Sequence, residues 1–156
     1  MRIKGALLCF SILLAAQSLS ALAGDEAEVI GTLQDYEAAW SRHDAKAIAS
    51  FYYEPAMRIG RGGPVVRLSR SDQETFFSGF MPELIRRGFD HSGFEELNVH
   101  LLDTDTAIAS GILLRYRKEG DVLERAAVSF GLRKTTDGWK IFLTDTHAPD
   151  TVMRFR

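Results

Sequence analysis

Cysteine is nearly missing from this 156-residue chain: the single copy, Cys9, sits in the first apolar run. The remainder therefore has no disulfide, no thiol nucleophile and no zinc–thiolate site. A basic surplus is missing too. The formal net charge is −2, with both signs interspersed, which gives no support to nucleic-acid binding, usually marked by a basic face, and reads as a solvated surface. The four histidines show no H-x-H or H-x-x-x-H spacing and no nearby carboxylate set, so no metal ligands are expected. Gly60-Arg-Gly-Gly63 lacks the Lys-Ser/Thr and helix start of a phosphate loop, and no G-x-S-x-G elbow marks a serine hydrolase. Repeats, low-complexity tracts and linkers are absent as well, and one domain is the default.

What is present begins with a leader pattern. Met1-Arg-Ile-Lys4 is a short basic start, residues 6–16 are apolar, and Ala21-Leu-Ala23 reads as a cleavage site. Gln17, Ser18 and Ser20 interrupt the apolar run short of the about 20 residues a membrane span needs. Leu8 stands where a lipoprotein signal requires a small residue. Residues 1–23 are therefore expected to be a signal peptide and 24–156 the single mature domain, exported to the periplasm or secreted, with no membrane contact after cleavage. Loss of Arg2 and Lys4 takes the net charge from −2 to −4.

Val29, Leu33, Tyr36 and Trp40 recur at helical spacing and predict a helix over residues 25–42, with Asp25, Glu26 and Glu28 in its first turn. Asp44 is placed to cap a second short helix that reaches Phe51 and stops at Pro55. Residues 57–60 and 65–68 read as short strands around the glycine-rich junction. Ser71 and Glu74 form a capping-box pattern for a third helix, which Pro82 is expected to kink or split. From Phe94 the period changes. Residues 94–102, 106–117, 122–134 and 139–146 are strand-like runs separated by short turns, an antiparallel meander. Helices first and strands later is an α+β pattern, expected as a cone-shaped bent antiparallel sheet enclosing about three N-terminal helices.

In this order and spacing, Tyr36-x-x-x-Trp40, the Asp44 break, Ala49-Ser-Phe-Tyr-Tyr-Glu-Pro-Ala56, the glycine-rich junction and Asp137-Gly-Trp-Lys-Ile141 resemble the nuclear transport factor 2-like superfamily. Within it they resemble the SnoaL-like and ketosteroid-isomerase-like branches. The resemblance covers nearly all of residues 26–149 and implies a cystatin-like α+β barrel, open at one end and often dimeric. It also implies cofactor-free isomerases, cyclases or dehydratases beside members that only bind or scaffold, so fold alone does not settle function. Tyr36 lands on the family's tyrosine. Gly60 stands where the isomerases carry their basic Asp, and residues 128–130 hold no acid, so their mechanism does not transfer unchanged. Asp145 lies within one position of the acid that SnoaL-like cyclases place near the end of the last strand.

The candidate catalytic residues are Tyr36, Asp145 and His147. Tyr36 either donates its hydroxyl to a ligand or belongs to the core stripe with its hydroxyl bonded to backbone. Asp145 and His147 alternate with Trp139, Ile141 and Leu143, which puts them on the cavity face if Trp139 points inward; alternatively they belong to a solvated strand end. Trp40, Arg58, His100 and Arg115 are candidate ligand contacts. The expected ligand is a small, mostly apolar molecule, without cofactor or nucleic acid. Two functions stay open: a lyase, isomerase or cyclase acting on a carbonyl-containing compound, and a non-catalytic binding or dimerisation module using its outer sheet face. The cavity reached by Tyr36 and Asp145, rather than the glycine-rich junction, is the expected site.

Overall fold

A computed structural model describes residues 7–60 and 62–155 of the chain. The basic start of the leader, residues 1–4, lies outside the described residues. Ten elements follow in order: helix α1 (Leu7–Ser41), helix α2 (Ala45–Ser50), strands β1 (Tyr52–Gly60) and β2 (Gly63–Arg67), helix α3 (Arg70–Arg86), strands β3 (His91–Leu101), β4 (Thr106–Tyr116), β5 (Val122–Thr135) and β6 (Gly138–His147), and a 3-10 turn (Pro149–Thr151). The strands form one curved, unclosed sheet in the order β2-β1-β6-β5-β4-β3. It is antiparallel except where β1 runs parallel to β6. The α+β architecture is the one expected.

The stripe on α1 packs as its spacing dictates. Val29, Leu33, Tyr36 and Trp40 are all buried, and Trp139 faces them at 3% exposure. α1 starts well before residue 25, which puts Asp25 and Glu28 mid-helix rather than in a first turn. Both carboxylates instead hold Lys134 at 2.5 and 2.8 Å, tying the helix to the end of β5. His43 then breaks the chain with φ of +58°, and Asp44 accepts the Ala47 N–H to cap α2.

Two boundaries differ from the sequence reading. α3 is capped by Ser69, whose hydroxyl accepts the Asp72 N–H while Asp72 accepts the Ser69 N–H, one pair upstream of Ser71 and Glu74. α3 also continues through Pro82 to Arg86, unsplit. Pro55 does not end α2, which stops at Ser50; it lies inside β1, where the register to β6 shifts between Tyr52 and Met57. A proline lacks the ladder N–H, and such an irregular stretch is where a strand tolerates one.

A bulge in β6 decides the site. Ile141 pairs with Leu132 and Leu143 with Gly131, leaving Phe142 as the extra residue. One inserted residue reverses the alternation beyond it. Trp139 and Ile141 face inward before the bulge, and Thr144 and Thr146 face inward after it. Phe142 turns outward over Gly131, where a Cβ would lie 2.6 Å from the ring.

Candidate functional site

The cone encloses a chamber of about 30 Å³ between α1 and the concave sheet face. That is room for about one water-sized group. Tyr36, Glu37 and Trp40 reach it from α1, and Tyr52 and Arg58 from β1. Leu113, Val128 and Phe130 supply its apolar wall, and Arg115, Thr144 and Thr146 its remaining polar one. Arg58, Leu113, Arg115 and Thr146 also line a wider space of about 110 Å³ toward the mouth, with Phe80, Arg87 and Glu124. Chamber and mouth thus share their walls.

The inner end is a hydroxyl pair set in aromatic packing. Tyr36 Oη and Tyr52 Oη lie 2.9 Å apart, and the Tyr36 ring meets Trp40, Phe51, Tyr52 and Phe130 edge-on. Burial pushes the Tyr36 hydroxyl well above its ordinary range, and the neighbouring Tyr52 adds to this. Burial raises Tyr52 as well. Both stay neutral near pH 7 and are available as hydrogen-bond donors.

Glu37 is the chemically distinctive group. It is 4% exposed, and burial raises its pKa from 4.5 to about 7, against the opposing pull of the Ser92 hydroxyl and the charge of Arg115. Ser92 Oγ donates to Glu37 Oε2 at 2.6 Å. Ser41 fixes this contact, since the Ser92 N–H donates to Ser41 Oγ at 3.0 Å and joins α1 to the start of β3. On its other side Glu37 borders an open groove of about 640 Å³ between α1 and β3, to which Ser92 also belongs. The carboxyl group therefore stands between the chamber and a solvated groove, with a hydroxyl toward the water. A carboxyl group with pKa near neutrality can both accept and return a proton.

Arginines surround the mouth. Arg115, its side chain 14% exposed, pairs with Glu124 at 2.9 Å and lies over the Trp40 ring at 5.2 Å. Arg87 reaches the same carboxylate at 3.9 Å. Arg58 has no acid within ion-pair distance among the described residues.

Of the residues singled out from the sequence, Tyr36, Trp40, Arg58 and Arg115 are brought together here. Asp145, His147 and His100 are not, and the expected Tyr36–Asp145 pair does not form. The β6 bulge turns Asp145 outward, paired with Ser129, while its neighbours Thr144 and Thr146 line the cone. His147 lies on the same outer face. Its Nε2 is 2.8 Å from Ser129 Oγ and its Nδ1 2.5 Å from Thr151 Oγ1. Thr151 Oγ1 donates to the Ala148 carbonyl, which leaves it to accept from Nδ1–H of His147. His100 is exposed on β3 and stacks on Phe155 of the C-terminal segment. The sequence reading missed Glu37 and Tyr52. The signal for Glu37 was its place four residues after Leu33, on the edge of the buried arc; Tyr52 was hidden in the run Phe51-Tyr-Tyr53.

Among the described residues no group of three or more His, Cys, Asp or Glu is placed to hold a metal ion, and no helix is long and apolar enough to cross a membrane. The cone is similar to several solved structures. An NTF2-like protein with a cystatin-like fold from Novosphingobium aromaticivorans superposes with a TM-score of 0.67 at 17% identity, over 94% of each chain. A domain of unknown function with a cystatin-like fold from Nostoc punctiforme gives 0.66 at 16% identity, over 80% of this chain and 76% of its own. An NTF-2 like protein of unknown function from Shewanella oneidensis gives 0.64 at 20% identity, over 78% of this chain and 97% of its own. These likenesses show the fold alone. No curated protein matches the sequence. The family described as NTF2-like protein (DUF6841) matches residues 25–149, from the lysine-bound start of the packed part of α1 to the turn after β6, and the chain belongs to that family.

Proposed function

We propose that this protein binds a small organic molecule through the mouth of its cone and moves a proton on it with Glu37, in the manner of a cofactor-free isomerase or lyase of the SnoaL-like kind. The carrying observation is the buried Glu37 carboxyl, raised to about 7, on the wall of a chamber that also holds the Tyr36–Tyr52 hydroxyl pair. In this reading the chamber takes one oxygen-bearing group, a carbonyl, which accepts from a tyrosine hydroxyl while the molecule's body lies in the mouth. Glu37 as carboxylate takes a proton from the carbon next to that carbonyl. The electron pair moves onto the carbonyl oxygen, and the protonated Glu37 returns the proton to carbon. Hydroxyl donors aimed at the developing oxyanion supply the stabilisation.

A second reading, non-catalytic binding, is favoured by the narrowness of the chamber at about 30 Å³. Exchange of protons next to the carbonyl of small ketones and aldehydes in heavy water separates the two. Catalysed exchange that Glu37→Gln abolishes supports the proton-transfer reading. Binding at the mouth without exchange would leave only the second. The proposal also places the protein outside the cytoplasm after cleavage behind Ala23, on the strength of the A-x-A pattern, and as a homodimer through its outer sheet face. N-terminal sequencing of exported material and sedimentation are the checks.

A further inference from the structure

The glycine-rich junction set aside in the sequence reading borders a cleft of about 210 Å³, and two arginines on the same sheet face line it. Arg58 on β1 and Arg67 on β2 both sit on the ring of Phe76, at 5.5 and 3.7 Å from its centroid. β1 and β2 are paired here, with Arg58 opposite Val65 and Ala56 opposite Arg67. Neither guanidinium has an acid within ion-pair distance among the described residues. The nearby acids are committed elsewhere. Asp72 accepts the backbone N–H groups of Leu68 and Ser69, and Glu54 faces Arg70 at 3.8 Å. Glu124 holds Arg115 and Arg87. Burial and the charge of Arg58 both press Arg67 below its ordinary pKa. Like charges held side by side and partly desolvated destabilise the fold unless something offsets them.

The hairpin end of the cleft leaves room for that counter-charge. A methyl group on Gly60, Gly62 or Gly63 would meet no atom within 4 Å. Arg58 lines this cleft, the mouth and the inner chamber alike. We infer that Arg58 and Arg67 clamp the carboxylate of a small organic acid over Phe76, the charged end of the molecule whose other end enters the cone. The planar guanidinium fork matches the two oxygens of a carboxylate. Beyond Arg58 the chamber's one other arginine, Arg115, is already paired with Glu124, which suits a monoanion rather than a dianion. This inference rests on the reading above in that the same molecule occupies both places.

The test titrates benzoate, and separately inorganic phosphate, into the full protein and into Arg67→Gln, Arg67→Lys and Asp145→Asn, read by calorimetry and backbone amide shifts. Benzoate should bind the unmodified protein with shifts at Arg67 and Phe76. Its affinity should fall about tenfold to hundredfold in Arg67→Gln, the size of one or two charge-assisted hydrogen bonds. Arg67→Lys should be intermediate, and Asp145→Asn, on the outer sheet face, should stay within about twofold. Arg67→Gln should also be no less stable than the parent without ligand, since it relieves the Arg58–Arg67 repulsion; this separates lost binding from lost fold. Benzoate binding that ignores Arg67→Gln, or no benzoate binding, would overturn the clamp. Phosphate bound more tightly than benzoate would overturn the carboxylate assignment. If the clamp binds benzoate while Leu113 and Thr144 stay silent and no proton exchange occurs, the clamp stands and the cone reading fails. If those interior residues respond but Arg67→Gln changes nothing, the clamp fails alone.

Discussion

Replacing Glu37 with Gln gives a stability change whose sign depends on pH. In the unfolded chain this carboxyl titrates near 4.5; in the folded protein it titrates at about 7. The folded state therefore binds a proton more tightly, and the stability linked to this is fully present below the unfolded pKa. It is lost as pH rises from about 4.5 through about 7. At 1.36 kcal/mol per unit, the total loss is about 3 kcal/mol, reached above pH 7. Gln has nearly the same shape, can still bond to the Ser92 hydroxyl, and cannot ionise. Its additional amide hydrogens shift its stability by a constant, so the diagnostic is the difference between parent and variant as a function of pH. Urea unfolding of both proteins between pH 4 and 8.5 should show the variant gaining on the parent by about 3 kcal/mol across that window, nearly all of it between pH 4.5 and 7.5. A difference flat in pH would refute the reasoning, because it would mean that Glu37 ionises freely in the fold.

Tyr36→Phe removes one hydroxyl of the buried pair and leaves Tyr52 short of a partner, which should cost about 1–2 kcal/mol in chemical unfolding. Asp145→Asn should leave ligand binding and any proton exchange unchanged, because the β6 bulge directs this residue to the outer face; a loss of either would return Asp145 to the site. Gly131→Ala would push a methyl into the Phe142 ring, and should destabilise by about 1–3 kcal/mol, read by thermal unfolding.

The fold was legible because it depends on patterns that survive in one dimension. Val29, Leu33, Tyr36 and Trp40 keep helical spacing, and three short turns from Asp103 to Gly138 force an antiparallel meander. Elements slipped where the sequence offers two equivalent signals. Ser69-x-x-Asp72 and Ser71-x-x-Glu74 are both capping patterns, and the structure chooses the first. The candidate site was half legible. Tyr36, Trp40, Arg58 and Arg115 converge because helix spacing and strand order fix their faces. Asp145 escaped because strict alternation holds only without a bulge, and the extra residue at Phe142 is set by the pairing of β5 with β6 rather than by any local motif. Glu37 was passed over as an ordinary helix charge. Its significance comes from what packs over it, Ser92 on β3 and Arg115 on β4, both distant in sequence.

The most direct test of the account is the pH titration of Glu37 itself, followed through the side-chain carboxyl carbon by NMR in the full protein. The account predicts a transition centred at about 7, well separated from the exposed glutamates. A single transition near the ordinary value of 4.5 would contradict it, and with it the proton-transfer role at the bottom of the cone.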